Sequence, residues 1–500
     1  MISIDMRAAG TAVIPYWKEM ICADRAALSL RADVREHVAM AARECGFKRL
    51  RQHGMFHDDM FIWPEQEKDF NFQYLFNNYD FYLDTGVKPF VELSFLPRWM
   101  ASDDKTVFTC KCPACPPKDF QAWRKLVSAT VKALLNRYGA DEVRSWHFEV
   151  WNEPNIPFFS GTQAQYFELY RHAVDAVKSA DSSLRVGGPA TANFAPRDDG
   201  SYYPSWIDDF FSFCAKEKLP VDFVSTHPYP TNFPFDDQTG KWKRVVRDRD
   251  ATFNDLTLLR RIVNRSPFPN IEVHCNEWGS SPGNPDRTHD HVFSATFHLE
   301  NILRSHGLVD SLARWCLSDI CEESLPGSEE FHGCWGIVSA HGLKKPDFHA
   351  FSFLNRCGGV MLYNDWKEGA AVFRSDGDTW QVLLYNHRHY ANLEASWETP
   401  EGIEAMIGTG SPREFSLQLT GLPPAVRVKR SLLDREHGWA EGAWRKMGAP
   451  AWPKGGQLAE LRKCQEPCRS SRILHTDGGA LPLHETVPDL GVLFMELEKA

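Results

Sequence analysis

The chain has 500 residues, a net charge of −10, 43% hydrophobic and 24% charged residues. That length exceeds what one hydrophobic core usually serves, and the composition is that of a globular protein and not a disordered one. No apolar run reaches the roughly 18–20 residues of a membrane span, and no basic block offers a footprint for nucleic acid, so neither membrane nor nucleic acid is an expected partner. Aromatic residues make up 13% of the chain, with 17 Trp and 33 Phe, which suits a small neutral partner such as a sugar. The first residues, Met1-Ile2-Ser3-Ile4-Asp5-Met6-Arg7, lack the basic and apolar regions of a signal peptide. The 13 cysteines read as reduced thiols, so the expected location is the cytoplasm.

In chain order, short apolar runs predict strands at 19–23, 48–53, 89–95, 146–152, 185–189, 221–227, 271–276 and 312–317. Between them lie stretches with apolar residues at three- and four-residue spacing, as at 33–45, 119–138, 162–180 and 291–305. Strand–helix alternation repeated eight times predicts a (β/α)8 barrel over residues 14–350. From 351 to 500 the helical spacing fades and short alternating segments predict an antiparallel β-sandwich, to which residues 1–13 are expected to add a strand.

A barrel of this kind keeps its chemistry at the C-terminal ends of its strands. The fourth strand ends Phe148-Glu149-Val150-Trp151-Asn152-Glu153-Pro154, and the seventh ends Cys275-Asn276-Glu277-Trp278. Each presents a Glu preceded by Asn. Two carboxyl groups facing each other across a barrel mouth are what cleavage of a glycosidic bond requires, one protonated to donate and one ionised to attack. Tyr229 and His227 share a face at the end of the sixth strand through the two-residue period, as do Arg51 and His53 on the second.

These segments carry a resemblance. Lys48-Arg49-Leu50-Arg51-Gln52-His53-Gly54, Lys88 to Phe95, Phe148 to Asn155, Cys275 to Trp278, Thr288-His289-Asp290, Trp315 to Glu323, Phe331-His332-Gly333 and Trp444 to Gly448 together resemble glycoside hydrolase family 39, with the bacterial β-xylosidases most alike. The resemblance spans nearly the whole chain from about Tyr16. It implies retaining hydrolysis by double displacement, with Glu153 as acid and base and Glu277 as nucleophile. It further implies that Asn152 bonds the sugar 2-OH, that His227 and Tyr229 line the subsite around the nucleophile, and that His53, Trp315, Glu322 and Glu323 grip the remaining hydroxyls of the terminal sugar, with Phe108 as an apolar wall. The expected substrate is a short oligosaccharide or aryl glycoside ending in β-D-xylose. Two carboxyl groups suffice for this chemistry, so no metal or cofactor is expected. A homo-oligomer fits the resemblance. The family also holds α-L-iduronidases, arabinofuranose- and arabinopyranose-releasing enzymes, β-glucosidases and endo-acting polysaccharide hydrolases.

Two departures stand out. Asn276 occupies a place where the xylosidases carry Thr, and Gly279-Ser280-Ser281 follow Trp278. The loop after the third strand holds Cys110, Cys112 and Cys115, a cluster those enzymes lack; a structural zinc there would need a fourth ligand such as Cys464 or Cys468.

Overall fold

The computed structural model describes residues 2–63, 70–193, 206–232, 235–236, 241–325, 327–375 and 377–500. Eight parallel strands close a barrel in chain order: β1 (Ile21–Arg25), β2 (Arg49–His53), β3 (Lys88–Leu93), β4 (His147–Val150), β5 (Arg185–Ala192), β6 (Phe223–His227), β7 (Glu272–Trp278) and β8 (Ser311–Arg314). They coincide with the eight apolar runs, because strands covered on both faces are selected for continuous hydrophobicity. The glycine at 187 serves the closure of β5 on β6, since a Cβ there would sit 2.2 Å from the Phe223 carbonyl oxygen.

Amphipathic helices surround the barrel. In Gln163–Ala180, Thr162 and Gln165 form a reciprocal capping box that fixes the start. Gly46, at φ 69°, ends the helix Ala32–Cys45 in left-handed backbone. Helix Val292–Arg304 differs, for residues 292–303 are all buried. Its outer face packs beneath the C-terminal module, with Phe293 against His387 and Tyr390. A helix buried on every face needs a partner on both sides.

The C-terminal module stacks two sheets around Ile4, Val372, Trp380, Leu417, Val428, Leu483 and Met495. Seven strands form one sheet, antiparallel throughout, with Thr11–Ala12 at one edge and Cys468–His475 at the other. The second sheet joins Ile2–Asp5, Arg413–Thr420 and Leu481–Val487, and Ile2–Asp5 runs parallel to its partner. Three short helices, Pro400–Ile407, Ala440–Lys446 and Gly456–Cys464, interrupt this module. They are too short for periodicity to reveal, though Thr399 caps the first through Gly402 and Pro400 opens it.

Candidate active site

The mouth of the barrel is built on a distorted strand end. Beyond β4, Trp151 and Glu153 both adopt left-handed backbone, at φ 74° and 47°. Two bonds pin this bend: the Glu153 amide donates to the Ala190 carbonyl (2.9 Å), and the Trp151 indole donates to the Phe158 carbonyl (2.9 Å). Strained backbone held in place by its surroundings is a mark of functional sites, and here it aims Glu153 inward.

Glu277 faces it from β7. A ligand atom from each of Glu153, His227 and Glu277 lies within 4.8 Å of the other two. His227, at the end of β6, places Nδ1 2.7 Å from Glu153 Oε1 and 3.4 Å from Glu277 Oε2. The Tyr229 phenol donates to Glu277 Oε1 at 3.0 Å. Both carboxyls are almost fully buried, and burial raises both, Glu153 to about 7. Burial also keeps the His227 imidazole neutral, lowering it to about 4.

What separates the two acids is the charged layer beneath them. Arg51, fully buried, extends Nη1 to 3.6 Å from Glu277 Oε2. Its Nε donates to Glu149 (2.7 Å) and its Nη2 donates to Asn152 Oδ1 (2.9 Å) and pairs with Glu92 (2.7 Å). Glu277 therefore has a nearby guanidinium and a phenol donor, and the proton the pair retains belongs on Glu153. Asn276 turns away from the mouth and donates to Glu149. The Thr-to-Asn departure thus supports that charged layer from β7. Burial alone would lower the His53 imidazole, but the Glu92 carboxylate 2.8 Å away outweighs it and raises it.

The other expected residues gather on one side of this pair. The Trp315 ring stands 4.8 Å from the His53 ring, and Phe108 stacks on His53 at 5.7 Å. Glu323 converges with Asp24 and Cys321, their ligand atoms within 4.8 Å of one another. Burial, together with the charges of Glu277 and Asp24, holds the Glu323 carboxyl well above the usual range. Its neighbour Glu322 takes a different course: Arg25 Nε donates to it at 2.7 Å, and Arg25 also pairs with Asp59. The two adjacent acids are thus not equivalent.

Behind this shell, Lys345 pairs with Asp290 (2.6 Å) and Asp319 (2.7 Å), and Asp290 Oδ2 accepts from the Gly333 amide (2.7 Å). The segments 288–290 and 331–333 are therefore scaffold. Arg25, Asp24, Glu92 and Glu149 escaped the sequence reading. Two of them carried a signal, since Glu92 and Glu149 are lone acids inside apolar strands, Val91-Glu92-Leu93 and Phe148-Glu149-Val150. Cys110 and Cys112 come together, whereas Cys115 turns to the Asp103 carbonyl. Among the described residues, no group of three close ligand atoms includes any of them.

A barrel whose mouth sets two buried carboxyl groups against each other is the equipment of a glycoside hydrolase. The comparisons carry this to a family: the chain belongs to glycosyl hydrolases family 39, whose model matches residues 1–480. It is 34% identical over 472 residues to a β-xylosidase from Geobacillus stearothermophilus, covering 92% of this chain and 88% of that protein. The solved structure of a monomeric β-xylosidase from Caulobacter crescentus CB15 superposes with a TM-score of 0.90 at 31% identity, covering 99% of both chains. Mouse α-L-iduronidase is 23% identical over 402 residues, 75% of this chain and 61% of that protein.

Proposed function

We propose that this glycoside hydrolase removes terminal β-D-xylose from short oligosaccharides by double displacement, with Glu153 as acid and base and Glu277 as nucleophile. The observation that carries the mechanism is the separation of the two carboxyls. An oxygen of each lies within 4.8 Å of the other, which fits the roughly 5–5.5 Å of a retaining pair better than the roughly 6.5–9.5 Å across which an inverting pair holds its water. Glu277 attacks the anomeric carbon while Glu153 gives its proton to the departing oxygen. Glu153, now ionised, then takes a proton from the water that releases the sugar.

Asn152 fits a role at the 2-OH, since Arg51 occupies its Oδ1 and its amide NH2 remains to donate. Trp315 and Phe108 offer ring surfaces to a pyranose, His53 offers its otherwise unpartnered Nε2 to a hydroxyl, and Glu323 offers acceptors to the others. A neutral sugar is favoured over a uronate because the arginines at the mouth are committed. Arg51 is buried among Glu92 and Glu149, and Arg25 pairs with Asp59 and Glu322. A sugar carboxylate would meet Asp24 and Glu323. Short oligosaccharides taken up into a cytoplasm would be the natural supply.

A panel of aryl β-D-xyloside, α-L-arabinoside, β-D-glucoside and α-L-iduronide at equal concentration tests the substrate. The xyloside should be cleaved fastest, and preference for another sugar removes the substrate assignment alone. Glu277→Ala with added azide tests the mechanism, with an α-xylosyl azide as the expected product. Full activity without azide removes Glu277 from its role.

A further inference from the structure

The loop between β3 and helix Phe120–Tyr138 folds into a short hairpin, Thr106–Val107 pairing antiparallel with Cys112–Pro113. Phe108 and Lys111 both take left-handed backbone, at φ 63° and 59°, and the Lys111 amide donates to the Phe108 carbonyl (3.2 Å). This tight reversal sets the sulfurs of Cys110 and Cys112 3.4 Å apart. A disulfide spans about 2.05 Å, so closure asks for only about 1.3 Å of approach. The two thiols are unlike. Cys112 is buried, and Cys110 is partly exposed. The Cys112 thiol donates to Cys110 and, with Arg25 and His57 facing it, lowers Cys110 to about 7 against burial and the opposing charge of Asp24. The hydrogen bond to Cys110, and then burial, keep Cys112 protonated, with Arg25 opposing and Asp59 adding to the effect. A partly exposed thiolate beside a buried resolving thiol is the arrangement of a redox-sensitive pair.

The hairpin also touches the sugar-binding end of the pocket. The Thr109 amide donates to the Glu323 carbonyl (3.3 Å), its hydroxyl donates to the Glu322 carbonyl, and the preceding Phe108 stacks on His53. We propose that Cys110 and Cys112 are a redox modification site, a dithiol whose closure to a disulfide shifts Thr109 and Phe108 and weakens the grip on the terminal sugar. With a low-molecular-weight disulfide such as glutathione disulfide as oxidant, the Cys110 thiolate attacks one sulfur, the glutathione S–S bond breaks, and one glutathione thiolate leaves. Cys112 gives up its proton and attacks the Cys110 sulfur, expelling the second. The pair loses two electrons, the oxidant gains them, and the released thiols carry away the protons.

The full chain incubated with excess glutathione disulfide, then alkylated and analysed as peptides, should show the segment containing Cys110 and Cys112 lacking two hydrogens and resistant to alkylation. KM for the aryl xyloside should rise about fivefold, the equivalent of one hydrogen bond, while kcat changes less. Dithiothreitol should reverse both changes. Cys110→Ser and Cys112→Ser should each keep the reduced-state KM and lose the response; the more exposed Cys110 gives the safer variant for folding. A segment that stays a dithiol, or stops at a glutathione adduct, overturns the site. A closed disulfide with unchanged KM overturns its connection to the pocket. The KM reading rests on the xylosidase assignment, but the peptide mass needs no turnover, so failure of one does not pass for failure of the other.

Discussion

At the mouth of the barrel one histidine, His227, lies between two glutamates, whereas on its floor one glutamate, Glu272, lies between two histidines. The floor is a ring layer of Phe90, His147, Phe223 and His274, with centroids 5.0 to 5.5 Å apart. Glu272 meets His147 Nε2 at 2.6 Å and His274 Nε2 at 3.2 Å, with Arg185 at 3.4 Å. Burial works against its charge, but the two imidazoles outweigh burial and hold its carboxyl far below the usual range. At the mouth burial prevails and lifts Glu153 to about 7. The same residue types therefore give opposite charge states. The number of donors per carboxylate and the access of water decide which, and only the mouth yields an acid that titrates near neutrality.

This contrast can be broken most severely at Glu153. Glu153→Gln should lower kcat/KM on xylobiose by about 10²–10⁴-fold, and less on an aryl xyloside whose leaving group needs little protonation. The alkaline limb of the pH–rate profile, expected near 7, should vanish with it. A retained limb would assign that titration elsewhere. Arg51→Met should cost about 3–5 kcal/mol in urea unfolding, because Glu92 and Glu149 would stay buried without their cation. An unchanged midpoint would mean that the charged layer beneath Glu277 tolerates bare charge.

The raised Glu153 carboxyl also predicts a dependence of stability on pH. The unfolded carboxyl ionises near 4.5 and the folded one near 7, so folding opposes ionisation across that window and stability falls as pH rises through it. Glu153→Gln should therefore be more stable than the parent by up to about 3 kcal/mol at pH 8 and by little at pH 4, measured by urea unfolding. Equal gains at both values would contradict the assignment. The smallest effect belongs to the floor. Glu272, depressed in the folded chain, contributes stability above its ordinary carboxyl range that is lost as pH falls below it. His147→Phe should reduce that acid-side loss by at most about 1 kcal/mol, since Glu272 is 36% exposed and screened, and should leave kcat/KM unchanged. A marked fall in kcat/KM would tie the floor to catalysis.

The barrel was legible because strands covered on both faces must be apolar along their length, and the paired carboxyls were legible because each follows Asn at a strand end. The charge network was not. Strand alternation says that Arg51 and His53 share a face, but not that Arg51 meets Glu92 and Glu149 from two neighbouring strands. Nor does the sequence separate Glu322 from Glu323. They are identical and adjacent, and the difference comes from Arg25, nearly 300 positions away, which binds one of them. The third cysteine of the loop likewise reads as part of a trio until the hairpin turns it toward Asp103.

The parallel pairing of Ile2–Asp5 with Arg413–Thr420 has a consequence for biosynthesis. Those four residues leave the ribosome some four hundred residues ahead of their partner. At about 5–20 residues per second they wait roughly 20–80 s before that sheet can be completed. The barrel strands, each beside its chain neighbour, can pair as they emerge. The order of translation therefore favours a nascent chain whose barrel is assembled while the Ile2–Asp5 strand still lacks its partner.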